Sequence, residues 1–433
     1  MTVCDRTSAL LARLFRHLIS SPNDDYTFYA DDGRDICLPD GGDFGLYLHI
    51  PFCINLCPYC PYNRVRYRKD LAARFIPAVV SEVKMWRERI GNYRFNSLYI
   101  GGGTPTLLLE EIGEVLDALK TAFSLNGPVA VETIPSDVTI AKVGRMKQLG
   151  IEYVSLGVQS LHREYLRLLG RDYRTDRAHE AMALLTAERF RLLNIDLIFA
   201  FPGESIDGLL EDLRETIGYA PQQVTCYPLF TFPYSAVGTY KRLGKVIMPP
   251  VRLRRRMYYA VCRFFHEQGY RQSSVWSFSR GPSSPYSSVS RDYYVGLGPS
   301  AATYTGGAFY FNTFSVHEYI EAARKRLPIA LKMRVSHRLE KLFWLYWRLY
   351  ETEVPKREYQ ERFKAGFPWG FGLLLRLLEL LGLGHREHGR SWVLSPRGAH
   401  WIHLLQNQYA LNYVNTIWSR CQVNPWPDKV RLR

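Results

Sequence analysis

The sequence predicts an α/β fold: a partial (β/α)6 barrel followed by a mainly helical, winged-helix-like C-terminal domain. Two observations lead to this prediction. From residue 45 onward, six short β-rich runs alternate with longer helical patterns, and that alternation is typical of βαβ units in a parallel sheet. After about residue 270 the alternation ends, and from about residue 315 the chain becomes mainly helical.

The predicted strands are short apolar runs bounded by turn residues. They comprise residues 45–50, 97–100, 129–133, 153–157, 194–199 and 223–229. Helical patterns fill the connections, at residues 69–90, 108–123, 138–149, 176–190 and 205–219. Six units are too few to close an eight-stranded barrel, so a partial barrel fits best. In parallel barrels the chemistry lies beyond the carboxyl ends of the strands, and we expect the same here.

Three predicted parts divide the chain: an N-terminal extension (1–43), a core domain (44–305) and a C-terminal accessory domain (306–433). The Ser-, Pro- and Gly-rich stretch at 273–291 predicts a long irregular segment, with a lid as one interpretation. In the accessory domain, a helix, a hairpin at 382–401 and a further helix to about residue 418 indicate a winged-helix-like module. Such modules bind DNA or serve as lids and braces, and the sequence leaves that choice open.

Composition and charge limit the function classes. The formal net charge of +15 is compatible with nucleic-acid binding, with an anionic substrate or simply with solubility. Basic clusters occur at 63–69 and 252–256, but no nucleic-acid motif accompanies them, which favours solubility. Neither a nucleic-acid partner nor a membrane span is expected, because the most apolar run (371–384) is short and carries two charges.

The N-terminus and the isolated cysteines predict a cytoplasmic location. The apolar stretch at residues 9–19 is interrupted by two arginines and a histidine, unlike the core of a secretory signal. Five of the eight cysteines are scattered without regular spacing, which suits a reducing compartment more than a secreted disulfide framework.

The three remaining cysteines, Cys53, Cys57 and Cys60, lie within eight residues. Soft thiolates select zinc, copper or iron–sulfur clusters. A structural zinc site normally needs four ligands in two separated pairs, and no fourth ligand is evident, since His49 on an extended strand is expected to point elsewhere. Three thiolates that leave one cluster iron open to a small molecule fit the spacing better.

This loop, "CINLCPYC", follows the CxxxCxxC pattern of the radical S-adenosylmethionine (SAM) superfamily. Its surroundings resemble the oxygen-independent coproporphyrinogen III oxidase family. The similarity rests on "LYLHIPFC" (46–53), "GGGTPT" (101–106), "SLGVQS" (155–160), "LLGR" (168–171), "NIDLIFAFPGES" (194–205) and "GLGPSA" (296–301). In the accessory domain, "WVLSPRGAHW" (392–401) is also similar to that family.

The resemblance implies a chemistry. Cys53, Cys57 and Cys60 would hold a [4Fe–4S] cluster, and SAM would bind at its open iron. Electron transfer would cleave SAM to methionine and a 5′-deoxyadenosyl radical, which abstracts hydrogen from a small-molecule substrate. The electron would come from a donor such as flavodoxin or ferredoxin.

The resemblance also implies which residues contact SAM. Three glycines at 101–103 let a backbone approach a ligand closely, although alone they would indicate a tight turn. Glu132 alone would be an exposed strand-end charge, and Tyr47 alone a core residue. Arg171 suits a carboxylate, and Asp196 a hydroxyl or amine. The predicted SAM contacts are Tyr47, Tyr59, Gly102, Gly103, Thr104, Glu132, Gln159, Arg171 and Asp196.

One position departs from the family pattern. The porphyrinogen enzymes carry a further cysteine two residues after the third, where this chain has Tyr62. We therefore expect a substrate other than coproporphyrinogen III, with Tyr62 as a candidate substrate contact; the alternative is that Tyr62 only packs against the barrel wall. Competing functions are carbon methylation or cyclopropanation with two SAM molecules, a haem-binding chaperone, and a winged-helix nucleic-acid binder.

Two pairs of histidines in the accessory domain offer a second candidate metal site. His385 and His388, and likewise His400 and His403, stand three residues apart. No thiol or carboxylate pattern supports a zinc site there, so we expect a polar hairpin flank instead.

Overall fold

The structure is a computed structural model of the chain. It describes residues 26–39, 44–171, 175–233, 235–281, 292–387 and 389–432, with backbone only at 408–412. Most of the predicted N-terminal extension, residues 282–291 of the predicted irregular segment, and His388 lie outside the described residues.

The strands, in chain order, are β1 (Thr27–Ala30), β2 (Phe44–Ile50), β3 (Phe52–Cys53), β4 (Val65–Arg66), β5 (Arg94–Phe95), β6 (Ser97–Gly102), β7 (Ser124–Leu125), β8 (Val129–Thr133), β9 (Ile151–Gln159), β10 (Leu192–Phe199), β11 (Gln223–Pro228), β12 (Arg271–Gln272), β13 (Ser277–Ser279), β14 (Tyr293–Leu297), β15 (Ala302–Tyr304), β16 (Ala308–Asn312), β17 (Ile329–Arg334), β18 (Glu353–Pro355), β19 (Gly384–Glu387), β20 (Ser391–Leu394) and β21 (Lys429–Arg431).

The helices are α1 (Lys69–Ile90), α2 (Leu109–Ala122), α3 (Ile140–Gln148), α4 (Arg163–Leu168), α5 (Thr175–Ala187), α6 (Ile206–Gly218), α7 (Ala236–Arg242), α8 (Val251–Glu267), α9 (Val316–Ala322), α10 (His337–Tyr350), α11 (Lys356–Phe363), α12 (Trp369–Leu380) and α13 (Pro396–Val423). Short 3-10 turns occupy Pro105–Leu108 and Pro135–Asp137.

Six parallel strands form the centre of the molecule, in the order β2, β6, β8, β9, β10, β11. They coincide with the six predicted runs to within two residues at each end, and helices connect them. The strands are buried along almost their whole length, as expected for parallel strands covered on both faces. The α/β prediction, with a central parallel sheet, is confirmed.

The sheet is larger than predicted, with fourteen strands in the order β12-β13-β11-β10-β9-β8-β6-β2-β14-β15-β16-β17-β1-β21. Strand β14 lies parallel to β2 on the side opposite β6, and β15, β16 and β17 continue the sheet antiparallel. The prediction of an irregular segment was wrong at β13, which pairs with β11. Its Ser-Phe-Ser alternation buries Phe278 and turns the serines to a polar seam.

After β17 the chain follows the order helix, strand, helix, helix, strand, strand, from α10 to β20. Strands β18, β20 and β19 form a separate three-stranded antiparallel sheet, in the order of a winged-helix module. The predicted hairpin corresponds to β19 and β20, and the last helix extends beyond the predicted end, to Val423. The predicted limits at 43 and 305 stay predictions. Because β15 and β16 both belong to the large sheet, we propose to place the second division after β17.

None of the described helices combines the length and apolar composition needed to cross a bilayer.

A buried carboxylate fastens the first helix to the end of the sheet. Glu82 of α1 is fully buried and accepts hydrogen bonds from three groups far along the chain. The donors are the backbone N–H of Gly298 at 2.9 Å, the amide of Asn312 at 2.7 Å and the hydroxyl of Tyr319 at 2.5 Å. Burial raises the pKa of Glu82 to about 7. The contact joins α1 to the segment after β14, to β16 and to α9.

Replacing Glu82 with alanine should destabilise the fold strongly, because it leaves three buried donors without an acceptor. Each unsatisfied buried group costs roughly 1–3 kcal/mol, so we expect a loss of at least about 3 kcal/mol in unfolding free energy. Thermal and urea denaturation would measure it. The matched control is Glu88→Ala, an exposed position on the same helix, which should change the unfolding free energy by less than about 0.5 kcal/mol. Equal effects of the two substitutions would contradict this account of Glu82.

Candidate functional site

The cysteine loop begins at the carboxyl end of β2. After Ile50 the chain turns into β3, which contains Cys53, runs through Cys57 and Cys60, and returns as β4 beside β3. Since β2 lies between the parallel strands β6 and β14, the loop stands at the sheet edge where all these strands end. This is the edge at which the barrel prediction places the chemistry.

A single guanidinium holds the loop from one side. Arg64 donates hydrogen bonds to the carbonyl oxygens of Cys57 at 2.5 Å, Cys60 at 2.8 Å and Tyr62 at 3.1 Å. Its fork of N–H donors can engage several carbonyls at once, which a lysine cannot reproduce. The positive charge of Arg64 also favours the thiolate forms of Cys53 and Cys60.

His49 holds the loop from the other side. Its Nε2 lies 2.7 Å from the carbonyl oxygen of Asn63, and its Nδ1 lies 2.9 Å from the hydroxyl of Tyr47. Burial lowers the pKa of His49 to about 4, so the ring is neutral at physiological pH. The Asn63 amide in turn donates to the carbonyl of Phe314 at 2.8 Å. His49 therefore braces the loop, in keeping with the expectation that it points away from the thiols.

The three thiols are chemically suited to an iron–sulfur cluster. Burial, together with the charges of Cys60 and Cys57, raises the pKa of Cys53 to about 11, and burial also raises the pKa of Cys60. Three neighbouring thiolates thus need a positively charged group to hold them together. Among the described residues no three Cys, His, Asp or Glu side chains are arranged to hold a single metal ion, and none of the described cysteines forms a disulfide.

The glycine turn after β6 lies directly against the cysteine loop. At Gly103 a Cβ atom would stand 2.5 Å from the Phe52 carbonyl oxygen and 3.0 Å from the Cys53 sulfur. At Gly102, where φ is +117°, it would stand 2.6 Å from the His49 ring. The Thr104 hydroxyl is 3.7 Å from the Cys53 sulfur. The glycines therefore let the backbone after β6 pack closely against the cysteine loop. The sequence predicts only that this backbone packs closely against a ligand.

Two carboxyl groups carried by β8 and β10 face the interior. Glu132 accepts hydrogen bonds from the Tyr99 hydroxyl and, at 3.1 Å, from the Gly102 N–H. Asp196 accepts from Ser155 at 3.1 Å and from Asn194 at 2.8 Å. Burial raises the pKa of Glu132 to about 7, with a further contribution from the charge of Asp196, and burial raises the pKa of Asp196 to about 6.

Arg171 and Gln159 complete the polar lining. Arg171 donates to the Gly157 carbonyl and, at 3.2 Å, to the Tyr59 hydroxyl, so it links β9 to the cysteine loop. Its charge lowers the pKa of Asp196. Gln159 is buried, has a positive φ of +73°, and accepts a hydrogen bond from the Tyr227 hydroxyl at 3.0 Å. A strained non-glycine residue at a strand end is a common feature of ligand sites.

The tyrosines of the predicted set lie at different depths. Tyr47 packs with Tyr99, Ala130 and other apolar residues that fill the base of the interior, and its hydroxyl contacts His49. Tyr62 is 47% exposed at the rim. Desolvation of its hydroxyl, together with the negative charges of Glu132, Cys60 and Asp196, raises the pKa of Tyr62. The structure thus brings the predicted site residues around one interior, with Tyr47 at its base and the cysteine loop at its rim, and their individual roles stay predictions.

Aromatic side chains line the interior beyond Gln159. The rings of Tyr227 and Phe230 are stacked with centroids 6.1 Å apart, and Phe230 lies 6.2 Å from Trp276. His403 packs edge-on against Trp276 at 4.5 Å, and His400 packs against Tyr258 at 5.4 Å. These two histidines are therefore packing residues between α13 and the barrel. His385 is exposed on β19.

Local sequence patterns do not reveal the residues that position the loop. Arg64, Arg66 and Arg68 look like one basic cluster in the sequence, although of these three only Arg64 turns inward; Arg68 pairs with Asp70 at the surface. Its place immediately after the cysteine loop was the available signal. Asn63 and the Tyr227 hydroxyl carried no local signal, because their partners are distant in sequence.

Comparison with known proteins shows which proteins this chain is similar to. The family model described as the radical SAM superfamily matches residues 47–216. The chain is 25% identical over 357 residues to "Heme chaperone HemW" of Bacillus subtilis, covering 80% of this chain and 94% of that protein. It is 29% identical over 252 residues to the oxygen-independent coproporphyrinogen III oxidase of Bradyrhizobium diazoefficiens, covering 56% and 55% respectively.

Among solved structures, coproporphyrinogen III oxidase (HemN) from Escherichia coli has the same fold. The two superpose with a TM-score of 0.70 at 18% identity, covering 91% of this chain and 92% of the other. The matching family model and the cysteine loop identify residues 47–216 as a radical SAM domain. Over longer stretches the chain is similar to HemW and to the oxygen-independent coproporphyrinogen III oxidases, and its fold is that of HemN.

Changing Glu132 to glutamine should weaken SAM binding while the iron content stays the same. The substitution removes a buried charge next to the glycine turn, and a hydrogen bond to a charged group is worth about 1.5–3 kcal/mol, or roughly a 10- to 100-fold change in affinity. Isothermal titration of the reconstituted protein would measure it. The control is Glu111→Gln, an exposed position on α2.

The same titration has an expected pH dependence. SAM is a cation, so it should bind more tightly when Glu132 is ionised. Because the pKa of Glu132 is raised to about 7 and that of Asp196 to about 6, affinity should rise between pH 5.5 and 7.5, and less steeply in Glu132→Gln. A flat profile in the unsubstituted protein would show that these carboxylates do not contact the ligand.

Proposed function

We propose that this chain is a radical SAM enzyme that modifies a small organic molecule other than coproporphyrinogen III. The observation that carries the proposal is the placement of three thiols, two interior carboxyl groups and Arg171 at one edge of the parallel sheet. The thiols occupy β3 and the loop after it, the two carboxyl groups lie on β8 and β10, and Arg171 lies between β9 and β10 in the chain. Superfamily membership supports both cofactors, a [4Fe–4S] cluster and SAM.

Cys53, Cys57 and Cys60 would hold the cluster, leaving one iron without a protein ligand. When bound and reduced, the cluster supplies the electron that cleaves SAM to a 5′-deoxyadenosyl radical. The chain's own residues hold the cysteine loop and bind and orient the ligand. Arg64 and His49 keep the loop in place, and Glu132 and Asp196 offer negative charge to a cationic ligand. The ring wall formed by Tyr227 and Phe230 keeps water away from the interior.

The substrate would enter where Tyr62 stands. Its ring is half exposed at the rim and follows Cys60 by two residues, so a molecule approaching the cysteine loop would pass it. A phenol can stack on a flat substrate or donate a hydrogen bond, unlike the thiol that the porphyrinogen enzymes carry at this place. This difference supports a substrate other than coproporphyrinogen III.

Replacing any one of Cys53, Cys57 and Cys60 with alanine should abolish cluster assembly. Anaerobic reconstitution of the unsubstituted chain should give about four irons, the stoichiometry of a [4Fe–4S] cluster. Iron and sulfide analysis with electron paramagnetic resonance would check it. Cys226→Ala and Cys262→Ala serve as controls, since both thiols are buried away from the loop. A full cluster in Cys57→Ala would refute the ligand assignment.

A second function, haem binding as a chaperone, is favoured by one observation. The Bacillus subtilis relative named "Heme chaperone HemW" matches along 94% of its length, and a second HemW, from Lactococcus lactis, is 24% identical and matches along 86% of its length. At 80% and 75% of this chain, both matches extend well beyond the residues matched by the radical SAM model.

Two assays on one preparation would separate these functions. With SAM and a reductant, we expect no conversion of coproporphyrinogen III to protoporphyrinogen and carbon dioxide, because Tyr62 replaces the family cysteine; efficient conversion would overturn the substrate proposal. In the second assay, haem is titrated into the same protein. Tight stoichiometric haem binding, with no substrate found to stimulate SAM cleavage, would favour the chaperone. Formation of S-adenosylhomocysteine alongside 5′-deoxyadenosine would instead indicate methyl transfer.

A further inference from the structure

One part of the chain carries a concentration of positive charge that plays no part in the site described above. Residues 216–266 contain eight Lys and Arg side chains and no Asp or Glu. This stretch of 51 residues accounts for more than half of the net charge of +15. Seven of the basic side chains are exposed, and the six that lie on α7, after it or in the first two turns of α8 make up what we call the basic surface: Lys241, Arg242, Lys245, Arg252, Arg255 and Arg256.

The local helix does not favour these charges. Helix α8 starts at Val251, so three of the arginines lie in its first two turns, and no acidic residue occupies the first turn. The amino end of a helix carries a partial positive charge and is stabilised by acidic side chains. Arginines at this end oppose the helix dipole and also repel one another. Stability of the free protein therefore does not explain them.

The basic surface adjoins the cysteine loop. The N–H of Val237, in the first turn of α7, donates to the carbonyl oxygen of Pro58 at 3.1 Å, and Pro58 lies between Cys57 and Cys60. Met248, just before α8, packs against an apolar cluster that includes Leu169, Phe201 and Leu229, which follow α4, β10 and β11. The start of α8 thus lies at the same sheet edge as the loop.

Apolar side chains are interspersed with these charges. On and after α7, Tyr240, Leu243 and Ile247 are 44%, 61% and 84% exposed. On the cysteine loop, Ile54 and Leu56 are 52% and 46% exposed. Protein interfaces combine an apolar centre with a charged rim that steers the encounter. This combination suits a folded protein partner better than the phosphate backbone of a nucleic acid.

We propose that the basic surface docks an acidic electron-transfer protein, which passes one electron to the cluster through the adjoining cysteine loop. The inference rests on the proposed function, since only a redox cluster needs such a partner. The reduced partner loses one electron and the cluster gains it, and no atom is transferred. A partner seated against α7 would be separated from the loop by a single hydrogen-bonded contact, and electron transfer depends steeply on distance.

The test reverses three charges and follows cluster reduction by two donors. The variant is Lys241→Glu/Arg242→Glu/Lys245→Glu, and the donors are reduced flavodoxin, an acidic protein, and reduced methyl viologen, a small cation. Electrostatic steering raises association rates by about 10- to 1,000-fold. We therefore expect at least a tenfold slower reduction by flavodoxin at low salt, with a weaker dependence on ionic strength. Reduction by methyl viologen should not become slower.

A matched variant separates docking from net charge. Lys84, Arg94 and Lys120 are exposed at the opposite end of the barrel, on α1, β5 and α2, and their triple change to glutamate alters net charge equally. That variant should keep the flavodoxin rate. Equal rates of reduction by flavodoxin in the two triple variants would overturn the docking proposal. The proposal would also be overturned if the Lys241→Glu/Arg242→Glu/Lys245→Glu variant lost binding to duplex DNA or anionic vesicles while its rate of reduction by flavodoxin stayed unchanged. A chain that assembles no cluster would instead refute the proposed function.

Discussion

The site depends on backbones that approach each other more closely than any side chain would permit. The end of β2 is packed between Gly102 on one side and Gly298 on the other, and both glycines have positive φ. A Cβ atom at Gly102 would overlap the His49 ring, and one at Gly103 would overlap the Phe52 carbonyl. This close packing holds His49 against Asn63. It thereby fixes the position of the cysteine loop relative to the end of β2.

The positions of the two interior carboxyl groups depend on the same sheet. The sheet register places Glu132 opposite Ser155, and Asp196 opposite Gly157, so both carboxyl groups enter the same enclosed interior. Their surroundings raise the pKa of each above its ordinary value, which shows that the interior penalises negative charge. A cationic ligand would relieve that penalty. The carboxyl groups are therefore prepared for a positively charged molecule before one arrives.

Local patterns predicted the parallel half of the fold well, because strands buried on both faces form apolar runs that short windows detect. They failed where burial depends on distant partners. Strand β1 pairs with β17 and β21, some 300 and 400 residues away, and Glu82 looks like a surface residue of an amphipathic helix until its donors at 298, 312 and 319 are placed. The thiols were predicted from spacing, whereas Arg64 required knowledge of where the loop carbonyls point.

The charges at this edge are segregated by the sheet itself. Negative groups, Glu132 and Asp196, lie inside the strands, while the basic surface on α7 and α8 lies outside. If the two sets were in contact they would form ion pairs and neither would attract a ligand. Strands β10 and β11 and the rings of Tyr227 and Phe230 lie between the two sets. Each set can therefore attract a different partner, a cationic ligand inside and an acidic protein outside. The cysteine loop, which contacts both sides through Arg171 and Pro58, is the element at which an electron from outside and a ligand inside would meet.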